Sequence, residues 1–75
     1  MSIEKDLFVE ILSKRLKELR KENTLTQNDV AKILKISRVV YNRYENGQRE
    51  IPLDVLCEIA DYYKVSVDYI LGRVD

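Results

Sequence analysis

The sequence contains no histidine, a single cysteine (Cys57) and no glycine-rich phosphate loop. Without histidine or a second thiol, a soft-metal site has no donor set, so no metal or other cofactor is expected. A lone cysteine excludes an intramolecular disulfide and fits a reducing compartment. No apolar run approaches the roughly 20 residues that span a bilayer, and no basic segment followed by an apolar one opens the chain. A cytoplasmic protein without membrane contact is expected. Repeats, low-complexity segments and linkers are also missing. At 75 residues the chain has room for one core, read here as a single domain over 1–75, and none for a cleft enclosing a large substrate. The carboxylates sit among lysines and arginines at surface-helix spacing, the pattern of a solvated face, so catalysis is not expected.

What is present is a folded, charge-balanced composition, with 45% hydrophobic and 35% charged residues. The zero net charge hides an asymmetry. Residues 1–26 carry six basic and five acidic groups, residues 27–49 five and two, and residues 50–75 two and six. The middle of the chain is basic and its last third acidic, which points to a basic face on a neutral body.

Helical periodicity dominates. Leu7, Phe8, Ile11, Leu12, Leu16 and Leu19 form an apolar stripe on a first helix ending near Glu22, with Ser2 or Asp6 as its cap. Thr26 caps a second helix whose first turn holds Asp29 and whose buried side is Val30, Ile33 and Leu34. Ser37 caps a third. Pro52 suits the first turn of a fourth, with Val55, Leu56, Ile59 and Ala60 inward, Cys57 as a small core residue, and an end near Tyr63. Ser66 caps a short fifth helix containing Val67, Tyr69, Ile70 and Leu71, which Gly72 stops in a left-handed conformation. The expected fold is all-α.

The third helix has an unusual surface. At about 100° per residue, Arg38, Asn42, Val39 and Arg43 share one arc of roughly 140°, while Val40, Tyr41 and Tyr44 lie opposite. Val40 belongs to the core, and Val39 projects between an amide and two guanidinium groups. These groups share a target in the major groove of DNA. Arginine donates a fork to guanine O6 and N7, asparagine pairs with adenine N6 and N7, and a small apolar side chain covers the thymine methyl.

Thr26 to Leu34, a break at Lys35 to Ser37, and Arg38 to Glu45 is the layout of a helix-turn-helix, here about 26–46, whose second helix enters the major groove. The segments LKELRKE, LTQNDVAKILKISRVVYNRYENGQREIP and LCEIADYYKVSVDYILG resemble the Cro and cI type, or Xre-like, helix-turn-helix family over roughly residues 8–72. That resemblance implies a five-helix bundle of the lambda-repressor kind and a sequence-specific DNA-binding transcriptional regulator, more a repressor than an activator, from a bacterium or its phage. It implies that Gln27 bonds a DNA phosphate and braces the recognition helix. Ser37, Arg38, Val39, Asn42 and Arg43 match positions facing DNA, with Arg38, Val39, Asn42 and Arg43 toward bases. Lys35, Ser37, Asn46 and Arg49 would join Gln27 at phosphates. Arg20 and Glu45 match a family pair that forms an internal salt bridge.

Two positions depart from the family pattern. Lys35 stands where glycine is common, in a turn that favours positive φ. Tyr41 replaces a smaller aliphatic, so its hydroxyl needs a partner or an exit to solvent.

One motif reads only a half-site, so pairing into a homodimer on a palindromic operator is expected. The apolar surplus in DYYKVSVDYILGRV suggests Tyr62, Tyr63, Tyr69, Ile70 and Val74 as the interface. The rival reading is a protein-interaction module, such as an antitoxin holding a toxin as its protein partner. A third, the DNA-binding part of a longer regulator, is less expected because the sequence ends soon after Gly72.

Overall fold

The computed structural model describes residues 3–74, which form five helices: α1 (Ile3–Glu22), α2 (Gln27–Leu34), α3 (Arg38–Glu45), α4 (Leu53–Tyr63) and α5 (Val67–Ile70). No strand occurs among the described residues. None of these helices is long and apolar enough to cross a membrane.

Three helices start by the same local chemistry. Thr26 Oγ accepts the Asp29 N–H at 3.0 Å while the Asp29 carboxylate accepts the Thr26 N–H at 2.8 Å, a reciprocal box that satisfies two donors left over by the helix start. Ser37 Oγ accepts the Val40 N–H at 3.1 Å, and Ser66 Oγ the Tyr69 N–H at 2.9 Å. Pro52 lies one position outside α4, as its N-cap. Asp6 lies inside α1 rather than at its start, and Ser2 is outside the described residues.

All five helices stop alike. A residue at positive φ reverses the chain, and the next N–H bonds the carbonyl five positions back: Leu25 to Arg20, Ile36 to Ala31, Gln48 to Arg43, Val65 to Ala60 and Arg73 to Asp68. The reversing residues are Thr24, Lys35, Gly47, Lys64 and Gly72, at φ between 56° and 76°. Glycine is required at two of them by space as well as by φ. A Cβ on Gly47 would stand 2.9 Å from Val9 Cγ1, and one on Gly72 2.5 Å from Ile11 Cγ2.

The core joins Leu16 and Leu19 of α1, Val30, Ala31 and Leu34 of α2, Tyr41 and Tyr44 of α3, Leu56, Ile59 and Ala60 of α4, and Ile70 of α5. Each fully buried leucine, isoleucine or valine here contributes about 1.5–3 kcal/mol. Helix α1 packs against both α3 and α5, so it spans the α2–α3 and α4–α5 pairs.

Four expected core positions are corrected. Leu7 and Phe8 extend the α1 stripe beyond the core and are exposed. Ile33 lies at the edge of the α2 inward face and is 38% exposed. Cys57 is exposed, because α4 turns Leu56, Ile59 and Ala60 inward and Cys57 falls about 100° away from Leu56.

Candidate nucleic-acid interface

Helices α2 and α3 are joined by a tight turn whose first residue, Lys35, sits at φ 57° and ψ 42°. Its backbone is left-handed although it is not glycine, and its side chain is exposed. Two positions on, Ser37 is extended at φ −75°, ψ 153° and starts α3. The turn therefore fixes the direction of α3 relative to α2.

On α3, Arg38, Val39 and Arg43 are exposed, while Tyr41, Tyr44 and Glu45 are buried. Val39 is 56% exposed and Val40 packs against the core, so the helix wheel assigns these two valines to opposite sides correctly. Lys35, Ser37, Asn46 and Arg49 are exposed as well.

Gln27 and Asn42 are half-buried and tied to each other. Asn46 Nδ2 donates to Asn42 Oδ1 at 3.1 Å, and Asn42 Nδ2 donates to Gln27 Oε1 at 3.1 Å. Gln27 Nε2 donates to Glu45 Oε1 at 3.2 Å. The sequence reading treats these amides as separate contacts and misses the chain they form. The four-residue spacing of Asn42 and Asn46 is the signal for its outer link.

The chain ends on an ion pair. Arg20 Nε and Nη2 donate to Glu45 Oε2 and Oε1 at 2.7 and 3.1 Å, and Arg20 Nη1 donates to the Leu25 carbonyl at 3.0 Å. The Glu45 side chain is 0% exposed and that of Arg20 14%. Burial pushes the Glu45 carboxyl up, but the Arg20 fork, the nearby Tyr41 phenol and the Gln27 amide favour its charged form, and the net displacement is below the ordinary value. The same contact holds the Arg20 guanidinium above its ordinary value.

Tyr41 meets neither expectation for its hydroxyl. The residue is fully buried, and its hydroxyl lies beside the Glu45 carboxylate without being hydrogen-bonded. Burial and that neighbouring carboxylate raise the phenol far above its usual range. The Tyr63 hydroxyl is likewise buried and unbonded, and burial beside Tyr62 and Glu45 pushes it up to about 12.

The expected apolar interface does not form one outward surface. Ile70 is 0% exposed, because α5 turns it inward with Val67 and Leu71 at helical spacing. The Tyr69 ring is faced by the Arg15 guanidinium at 4.3 Å, and Arg15 Nη1 donates to the carbonyls of Tyr69 and Val74. Tyr63 is half-buried and meets Tyr62 edge-on, with ring centroids 5.2 Å apart. Of the five residues, Tyr62 and Val74 remain exposed.

The sequence model of the helix-turn-helix family matches residues 16–70, which include α2, the turn and α3. The chain is 44% identical over 61 residues to an uncharacterized HTH-type transcriptional regulator, YobD, of Bacillus subtilis (strain 168), covering 81% of this chain and 54% of that protein. It is 39% identical over 62 residues to the HTH-type transcriptional regulator ImmR of the same organism, covering 83% and 49%. It is 37% identical over 63 residues to antitoxin PezA of Streptococcus pneumoniae serotype 4 (strain ATCC BAA-334 / TIGR4), covering 84% and 40%. The chain thus spans about half the length of the curated relatives it matches. No solved structure matches it significantly.

Proposed function

We propose, from the premise that this chain belongs to the Cro/cI-type helix-turn-helix family, that it is a sequence-specific double-stranded DNA-binding repressor of transcription. Residues 1–75 would act in the cytoplasm as one binding unit that does no chemistry on its ligand. The observation that carries this reading is the outer arc of α3, where an exposed valine stands between exposed guanidinium groups. Eight helical residues span about 12 Å, the width of the major groove.

In this reading Arg38 and Arg43 donate to guanine edges, Val39 covers a thymine methyl, and Asn42 reads a base with the N–H and the acceptor site it keeps free. Lys35, Ser37, Asn46 and Arg49 hold phosphates on either side, with the second N–H of Gln27. Two copies pair on a palindromic operator.

Selection from random duplexes, with sequencing of the bound fraction, tests the proposal. One short motif should emerge, and Arg38→Ala should relax a single position of it by about 1–3 kcal/mol. Lys35→Ala and Arg49→Ala should instead weaken every site, each lowering the log–log salt slope by about 0.9 per copy. No enrichment at low salt sinks the DNA reading. The similarity to an antitoxin then favours a protein partner as the ligand, with the same fold presented to a different surface.

A further inference from the structure

The amides of Asn46, Asn42 and Gln27 all donate in one direction, toward Glu45. We infer that Glu45, a residue no duplex can reach, sets that direction and thereby fixes what Asn42 and Gln27 present to DNA. The inference rests on the DNA-binding reading above and adds to it a positioning residue for base recognition.

The direction is forced by chemistry. A carboxylate only accepts, so the Gln27 side chain must turn Nε2 toward it. Its Oε1 then faces Asn42, which must answer with Nδ2, and the remaining Asn42 Oδ1 takes the N–H of Asn46. In three amides without an anchor, either direction would make the same bonds. The anchor here does not move: Glu45 is wholly buried and gripped by two N–H groups of Arg20. Turning the Asn42 amide over would therefore break bonds on both of its sides.

The consequence is a fixed pattern on the outer face of α3. Asn42 keeps one N–H and one acceptor site, whose positions are decided at Glu45. An amide held this way distinguishes adenine, which offers N6–H and N7 in one order, from a base that offers a different order. A freely turning asparagine would accept either. Gln27 likewise keeps one N–H, whose direction is settled by the bond its partner N–H makes to Glu45.

Three variants in selection experiments decide between positioning and mere bracing. Glu45→Gln keeps the shape but both donates and accepts, so it releases the direction. Gln27→Met keeps the length and cuts the link, which covers the case where Glu45→Gln does not fold. Arg20→Lys weakens the fold through the same ion pair but leaves the carboxylate facing Gln27. Compared at a temperature where circular dichroism shows all of them folded, Gln27→Met and Glu45→Gln should lose preference at the base pair that Asn42→Ala also relaxes. The loss there should be at least about fivefold, with other positions unchanged. Arg20→Lys should keep the wild-type profile. An unchanged profile in Gln27→Met, or a Glu45→Gln profile no different from that of Arg20→Lys, overturns the inference while leaving the DNA reading intact. A wild type that selects no sequence overturns both. Independently of DNA, one Gln27 Nε2 proton of the free protein should exchange slowly in NMR spectra and lose that protection in Glu45→Gln; rapid exchange in the wild type refutes the anchored chain directly.

Discussion

Glu45 is the residue on which the most physical terms converge. A carboxylate out of water is costly unless its lone pairs are occupied, and here Arg20 and Gln27 occupy both oxygens. Removing either member of the pair strands the other, so Arg20→Ala and Glu45→Ala should each cost about 3–5 kcal/mol. The double variant should cost clearly less than the sum, measured by urea unfolding in a double-mutant cycle; simple additivity would mean that the pair is not coupled. The pair also sets a pH dependence. The folded carboxyl titrates below its ordinary value of 4.5, so its contribution is fully present above that value and is lost as pH falls through the lower folded one. The urea midpoint should therefore drop as pH falls below about 4.5, with a shallower drop in Glu45→Gln. An equal drop in both would place the acid sensitivity elsewhere.

Elements in this fold are limited by their ends. Lys35 and Lys64 hold the same left-handed geometry as Gly47 and Gly72, with φ of 57° at both lysines. Relief of that strain should make Lys35→Gly more stable by about 0.5–1 kcal/mol, against the usual cost of glycine. In the proposed role it should also bind DNA less tightly, with a smaller salt slope, because the ammonium is gone. A denaturation midpoint that falls in Lys35→Gly would contradict the first half, and unchanged affinity the second. Helix starts were legible in the sequence because Thr26, Ser37 and Ser66 act within three residues. The outer arc of α3 was legible too, since periodicity alone separates Val39 from Val40. Periodicity does not say how far a core extends, so it cannot set Leu7, Phe8, Ile33 and Cys57 apart from the residues that are inside. Nor does it tell which of several surplus apolar residues a short helix turns inward, here Ile70. The Asn42–Gln27 bond depends on how α2 crosses α3, and one-dimensional spacing carries no such angle.

The described residues hold one helix-turn-helix, α2 and α3, while a palindromic operator offers two half-sites about 34 Å apart. One copy therefore presents α3 to one half-site, and reading a palindrome requires two. In the apolar C-terminal segment, Tyr62 and Val74 are exposed, and the proposed contact between copies rests on them. Sedimentation at micromolar concentration should give a dimer mass that Tyr62→Glu with Val74→Glu reduces to a monomer. A monomeric wild type, or a dimer indifferent to both changes, rules the contact out. The Arg15 clasp bears on a different property, the lifetime of the folded state. It joins α1 to carbonyls 54 and 59 positions further along the chain, a long loop to close, so it is expected to form late in folding. A contact that forms late would be missing from the folding transition state, and kinetics can show whether it is. Arg15→Met should leave the refolding limb of a stopped-flow chevron in place and raise the unfolding limb about fivefold, as expected for losing about 1 kcal/mol that the barrier never contained. A slower refolding limb would show that the clasp forms early. Arg15 would then govern how long a folded molecule lasts, while the speed at which one forms is set by the rest of the chain.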